Sequence, residues 1–179
     1  MKKLSLLLLT LLVSISANSQ VYYKGEKLRT SRIQGTRFGN LLGAYVTVGL
    51  SPANQSKVIE GKKADTRISD LKPQFTIKFE SKKDPVYMNS KNMEYIVLVS
   101  LQQKGSSRRL RVGKYGLVAG IQTNISEKEL IPISIEEDEN EENTFIVKPK
   151  EELKKGEYAF YYIKDDIEPN NVYDFQISK

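Results

Sequence analysis

The sequence predicts an all-β fold in which seven to nine antiparallel strands are layered into a β-sandwich. Three observations predict it. Apolar and polar residues alternate with a period of two in several separate segments. Turn-forming residues separate those segments at short intervals. No segment carries a sustained apolar stripe every three or four positions, so helices do not alternate with the strands as a parallel α/β fold requires.

Taken in order, Lys2 and Lys3 precede an apolar run from Leu4 to Ile15, and Ala17-Asn18-Ser19 sets small residues three and one positions before Gln20. This is the pattern of a cleaved secretory signal. About 12 apolar-biased residues fall short of the roughly 20 needed to cross a bilayer, so 1–19 reads as a signal peptide. The mature chain then runs from Gln20, is exported to the periplasm or beyond the cell, and does not span the membrane. Residues 20–43 read as an irregular lead-in or a bulged first strand, with Gly35, Gly39 and Gly43 four apart, and 44–179 as the β-sandwich domain.

Within that domain Phe75, Ile77 and Phe79 alternate with polar neighbours, as do Ile131, Ile133 and Ile135, and Tyr173, Phe175 and Ile177. Each group reads as a half-buried strand. Tyr95 to Leu101 is apolar at nearly every position and reads as a strand covered on both faces, the centre of the core. Ala44 to Leu50, Arg108 to Val112, Thr144 to Val147 and Tyr158 to Ile163 are further strands, with weaker signals at Val58-Ile59 and Thr66 to Ile68. Turns are expected at Ser51-Pro52-Ala53-Asn54, Asp84-Pro85, Gly105-Ser106-Ser107, Gly113 to Gly116 and Glu168-Pro169-Asn170-Asn171.

Composition removes more chemistry than it suggests. The 179 residues include no His, no Cys and no Trp. Without His there is no default general base near neutral pH, and without Cys there is no thiol nucleophile, zinc-thiolate site, disulfide or lipidation point. No metal and no cofactor are expected. A domain of about 160 residues buries roughly 70% of its unfolded surface and needs no disulfide to be stable, even in an oxidising compartment.

One motif carries a structural mechanism. Leu153-Lys154-Lys155-Gly156-Glu157-Tyr158 leads into a strand that one further strand follows. In immunoglobulin-like sandwiches a tyrosine near the start of the penultimate strand turns its hydroxyl back onto backbone a few residues upstream and pins a corner. Tyr158 suits that place, with Leu153 and Gly156 completing the corner. Over about Thr144 to Ile177 the chain resembles secreted immunoglobulin-like proteins of uncharacterised function from Gram-negative bacteria, whose next-to-last strand opens with Leu-x-x-Gly-Glu-Tyr. The resemblance implies an antiparallel immunoglobulin-like β-sandwich and is silent on activity. The cysteine pair and core tryptophan of antibody domains are absent, so the likeness is to the wider class.

Charge is unevenly distributed. The formal net charge is +6, but Val21 to Lys114 carries +12 and Tyr115 to Lys179 carries −8. The densest basic cluster is Arg108, Arg109, Arg111 and Lys114, the candidate face for an acidic partner, either a protein or an envelope polyanion. Alternation puts Leu110 and Val112 inward and Arg109 and Arg111 outward. Stacking aromatics are not interleaved with these charges, and export argues further against nucleic acid as partner. Glu136 to Asn143 is an acidic hairpin loop that lacks the glycine and spacing of a helical calcium loop.

These features point to an exported, non-catalytic binding or accessory module of the cell envelope. Two alternatives stand beside it. A carboxylate-based, glycosidase-like hydrolase needs only two suitably placed acids. A small outer-membrane β-barrel suits the length, although its lipid-facing bands should run about ten residues and the arginine-bearing strand is shorter. Ser69-Asp70-Leu71-Lys72 matches a Ser-x-x-Lys nucleophile pattern, but Pro73 biases Lys72 away from the helix that pattern needs. Mass spectrometry of the protein recovered from the exporting cell should find Gln20 as its first residue; a chain still starting at Met1 would show that the leader is retained.

Overall fold

A computed structural model describes residues 20–39, 53–79, 96–116, 120–122, 125–163 and 170–179. The expected signal peptide, the expected strand at 44–50, Tyr95, Ser51-Pro52, Asp84-Pro85 and Glu168-Pro169 lie outside these residues. Fourteen strands and no helix occur among them: β1 Gln20–Tyr23, β2 Glu26–Lys27, β3 Thr30–Gly39, β4 Ala53–Ile59, β5 Arg67–Ile68, β6 Phe75–Lys78, β7 Ile96–Lys104, β8 Ser107–Gly116, β9 Gly120–Gln122, β10 Leu130–Ile131, β11 Ile133–Glu137, β12 Thr144–Pro149, β13 Gly156–Tyr162 and β14 Asn171–Ile177.

They form two sheets. One has the order β11-β12-β6-β1-β2 and is antiparallel throughout. In the other, β7-β13-β14-β3-β4-β8 lie side by side and β8 returns to pair with β7, closing a six-stranded barrel. β10 pairs with β7 beyond the stretch that β8 occupies, β9 continues from β8, and β5 runs parallel to β14.

The strands β7, β13 and β14 have apolar residues on both faces, and both faces are buried. Leu98, Tyr158, Phe160, Phe175 and Ile177 meet Val21, Phe75, Ile77, Phe145 and Val147 of the five-stranded sheet. Phe75 stands edge-on to Phe160, with ring centroids 4.9 Å apart, and Tyr158 stacks on Phe175 at 5.6 Å. From the opposite faces of the same strands, Val99, Leu101, Ala159, Tyr161 and Val172 point into the barrel against Ile59, Leu110 and Val112. The two-sided covering expected for the Tyr95 to Leu101 run is thus found from Ile96 onward.

Several elements differ from the expectation. Within the Gly-rich stretch read as an irregular lead-in or a bulged first strand, residues 20–39 form three strands, β1, β2 and β3, and a register shift between Ile33 and Gly35 lies in the third; 40–43 lie outside the described residues. Ile131, Ile133 and Ile135 do not share a strand. Leu130–Ile131 belongs to the barrel sheet and Ile133–Glu137 to the other, and the chain changes sheet at Pro132, which has no N–H to donate to a ladder. The weak signal at Val58-Ile59 is the end of a seven-residue strand paired on both sides. Gly113 to Gly116 is strand rather than turn, because β4 and β9 flank it. Gly105, with φ of 62°, does turn the β7–β8 hairpin.

Tyr158 bonds back to the backbone a few residues upstream. Its hydroxyl donates to the carbonyl of Lys154 at 2.7 Å, while the Leu153 N–H donates to the Leu71 carbonyl at 2.7 Å and its side chain enters the core. The tyrosine ring lies over Gly156, where an added Cβ would meet it at 3.5 Å, an ordinary contact. Tyr158→Phe keeps the ring packing and removes one hydrogen bond, so it should lower unfolding stability by about 1 kcal/mol. Urea denaturation checks this, and an unchanged midpoint would show that the bond is not formed in solution.

Candidate functional site

The period of two along β8 separates its charged residues. Arg108, Leu110 and Val112 point into the barrel, and Arg109 and Arg111 point away from it. In register, Arg111 lies opposite Ser56 of β4, which lies opposite Arg37 of β3. These three residues make one row across the outer face, its two arginines two strand spacings apart, about 10 Å. Arg109 sits two residues along β8 from Arg111, opposite Val58 and Gln102. Its Nε is buried and has no hydrogen-bond partner among the described residues. The result is a pleated face carrying Arg37 from β3 and Arg109 and Arg111 from β8, with β4 between them. The Lys114 backbone pairs with Asn54 and Gln122 further along β8.

Arg108 must be removed from the candidate binding face. It is fully buried inside the barrel, and its guanidinium is held entirely by the chain. Nε donates to the Gly61 carbonyl at 3.0 Å; Nη2 donates to Ser31 Oγ at 2.9 Å and to the Glu60 carbonyl; Nη1 donates to Asp174 Oδ2 and lies 3.5 Å from Glu157 Oε2. These contacts occupy all five donors of the guanidinium. Ser31 Oγ also donates to Asp174 Oδ2 at 2.7 Å, and Glu157 accepts from the Ala64 N–H at 2.8 Å and from Gln103 Nε2 at 3.4 Å. Residues of β3, β8, β13 and β14 and the segment 60–64 therefore meet at one buried centre. Gly61, at φ of 79°, lets that segment turn so that its carbonyl reaches Arg108.

The two acids play different parts. Asp174 is the close counterion of Arg108. Glu157 stands further off, and burial raises its pKa above the ordinary carboxylate value; the Ala64 N–H and Arg108 oppose that rise, and Asp174 adds to it. A third buried acid, Glu129, lies where β7 and β8 diverge. Its Oε1 accepts from Gln102 Nε2 at 2.7 Å and its Oε2 from the Arg111 N–H at 3.0 Å. Burial raises its pKa too, against the pull of the Arg111 N–H and guanidinium. Arg111 is in this way anchored by its backbone while its side chain remains on the outer face.

The acidic run lies at the β11–β12 hairpin, as expected. Asp138 N–H donates to the Thr144 carbonyl, Asn140 N–H donates to Asp138 Oδ1, and Asn143 adopts φ of 59°. Lys78 of β6 grips both oxygens of Glu141, at 2.6 and 2.8 Å. A half-open concavity of about 430 Å³ lies here, lined by Glu137 through Phe145. No three metal-binding side chains converge among the described residues. Ser69 to Lys72 is not a helix: the Lys72 N–H donates to Asp70 Oδ1 at 3.0 Å, an Asx turn. No helix among the described residues is long and apolar enough to cross a membrane.

No protein-family model, no curated protein and no solved structure matches the chain.

The buried centre makes two predictions. Removing the counterion with Asp174→Ala strands the guanidinium in the barrel and should cost about 3–5 kcal/mol, whereas Glu157→Gln keeps a neutral acceptor for the Ala64 N–H and should cost little at neutral pH; chemical denaturation of the pair compares them. Glu157 and Glu129 have folded-state pKa values above their unfolded ones. Their contribution to stability is therefore complete below the unfolded value and is lost as pH rises through the folded one. The stability of the native chain relative to Glu157→Gln and Glu129→Gln should fall between acidic and neutral pH, and a flat difference would refute the assignment.

Proposed function

We propose that this chain is an exported, non-catalytic binding or accessory module of the bacterial cell envelope, and that it presents the outer face of β3, β4 and β8 to an acidic partner. The observation that carries the reading is the placement of Arg37, Arg109 and Arg111 on one pleated face. A sheet surface bearing guanidinium groups suits an extended anionic ligand, because each fork takes a carboxylate or phosphate in two parallel hydrogen bonds. Export rests on the leader pattern, and Gln20 already lies in β1, so cleavage after Ser19 would leave that strand whole.

The finer reading of the fold is an elaborated immunoglobulin-like sandwich. In its favour, the five-stranded sheet faces β7-β13-β14 across an apolar layer, and the Tyr158 hydroxyl bonds back at the start of the penultimate strand. The hydrolase alternative is less well supported. Glu157 and Asp174 do converge, one with a raised pKa, but both are sealed with Arg108 inside the barrel, where their side chains are at most 2% exposed. A membrane barrel is also less well supported, since one part of the outer surface carries the three arginines and another packs against the second sheet.

The test is titration of the mature protein with poly-glutamate and with an anionic polysaccharide at low and high salt, beside the double variant Arg109→Glu, Arg111→Glu. At least one polyanion should bind, the affinity should fall steeply with salt, and charge reversal should weaken it at least about ten-fold, roughly 1.4 kcal/mol. Equal binding by the reversed variant would remove this face from consideration.

A further inference from the structure

The arginine face has a complement within the same sequence. Residues 136–142 contain six carboxylates in seven positions and no cation. The structure projects them from the β11–β12 hairpin at the edge of the five-stranded sheet, with Glu136, Glu137, Glu139, Glu141 and Glu142 exposed. Lys78 is bound to Glu141, and Glu136, Glu137 and Glu139 add three further exposed carboxylates. The arginines lie on the barrel, and neither β11 nor β12 pairs with β3, β4 or β8. No ion pair joins the two groups within the chain among the described residues.

We infer that the arginine face of one copy receives the acidic β11–β12 hairpin of a second copy. This rests on the reading of that face as the binding surface and names its occupant. Two observations support it. The charges are complementary, with an anionic hairpin matched to a cationic face that carries Arg37, Arg109 and Arg111. The scale is also compatible, since a hairpin is one strand spacing wide and the two outer arginine positions lie two strand spacings, about 10 Å, apart. Because donor and acceptor surfaces differ, the contact is heterologous and runs head to tail, so each copy keeps one free hairpin and one free face and assembly continues into chains or a ring. The attraction is between exposed charges and must weaken as salt shortens its range, from about 30 Å at 0.01 M to about 3 Å at 1 M.

Sedimentation velocity of the mature protein tests this with two complementary variants. One carries Arg37→Glu, Arg109→Glu and Arg111→Glu, and the other Glu136→Gln, Glu137→Gln and Glu139→Gln; circular dichroism checks their folding. Arg37→Glu with Arg111→Glu replaces the first variant if reversing the half-buried Arg109 unfolds it. The unaltered protein should sediment faster with concentration at 0.01 M salt and return to monomer at 1 M. Each variant alone should associate at least ten-fold more weakly. Mixed in equal amounts, they should form a dimer and nothing larger, because the mixture retains one intact hairpin and one intact face.

A native protein that stays monomeric at low salt, a mixture that stays monomeric, or association indifferent to the arginine changes would overturn the inference. Poly-glutamate added to the same samples separates this failure from the broader one. A monomer that binds it through the arginines keeps the face as a receptor for another acidic partner, and a monomer that ignores every polyanion tested loses both readings.

Discussion

A guanidinium withdrawn from water costs several kcal/mol unless every donor finds an acceptor and its charge finds a counterion, and the barrel depends on meeting that demand at Arg108. Its five donors reach β3, β13 and β14 and the carbonyls of Glu60 and Gly61. The same side chain that would be ruinous alone thus fixes where four barrel strands and the segment after β4 lie relative to one another. An apolar residue of similar volume would fill the space, but it would not specify which carbonyl and which carboxylate must arrive there. The register of the barrel at this end is dictated by polar chemistry, and the apolar layer around Leu110 and Val99 then packs against a frame already defined.

This arrangement also accounts for the shape of the candidate site. With Arg108 turned inward, its immediate neighbour must turn outward, and so must Arg111. The register of β8 with β4 and of β4 with β3 then sets Arg37 in the same row as Arg111. Glu129 contributes from the side: by holding the Arg111 N–H where β7 and β8 part, it keeps the strand extended after its ladder with β7 has ended. The outer charges are therefore a by-product of the inner one, placed by alternation.

Much of this was legible in the sequence, and some of what was missed could have been read from it. The alternation that set Leu110 and Val112 inward places Arg108 with them, so grouping it with Arg109 and Arg111 went against the chain's own period. Asp174 stands between Tyr173 and Phe175 and reads as the wet side of a half-buried strand; only the closure of the barrel shows that this side is interior. Arg37 is not recognisable as part of the face from sequence, because its place depends on two strand registers that leave no local signature, even though Gly35 hints at the bulge. β4 was underestimated for a similar reason. Asn54 to Lys57 lacks β-branched and aromatic residues, and the strand forms because neighbours pair with it on both edges. The hydrogen bond from Tyr158 to the Lys154 carbonyl, by contrast, spans only four residues and lies within reach of a short local motif.

The central partition of β7, β13 and β14 serves two apolar compartments at once. Leu98 and Val99, adjacent in sequence, belong to opposite ones, as do Ala159 and Phe160. Neither compartment can be opened without exposing the back of the other, so the two interiors of the described core are not separable halves. Loosening on one side is transmitted through a single residue's thickness to the other, and the described core melts as one cooperative unit.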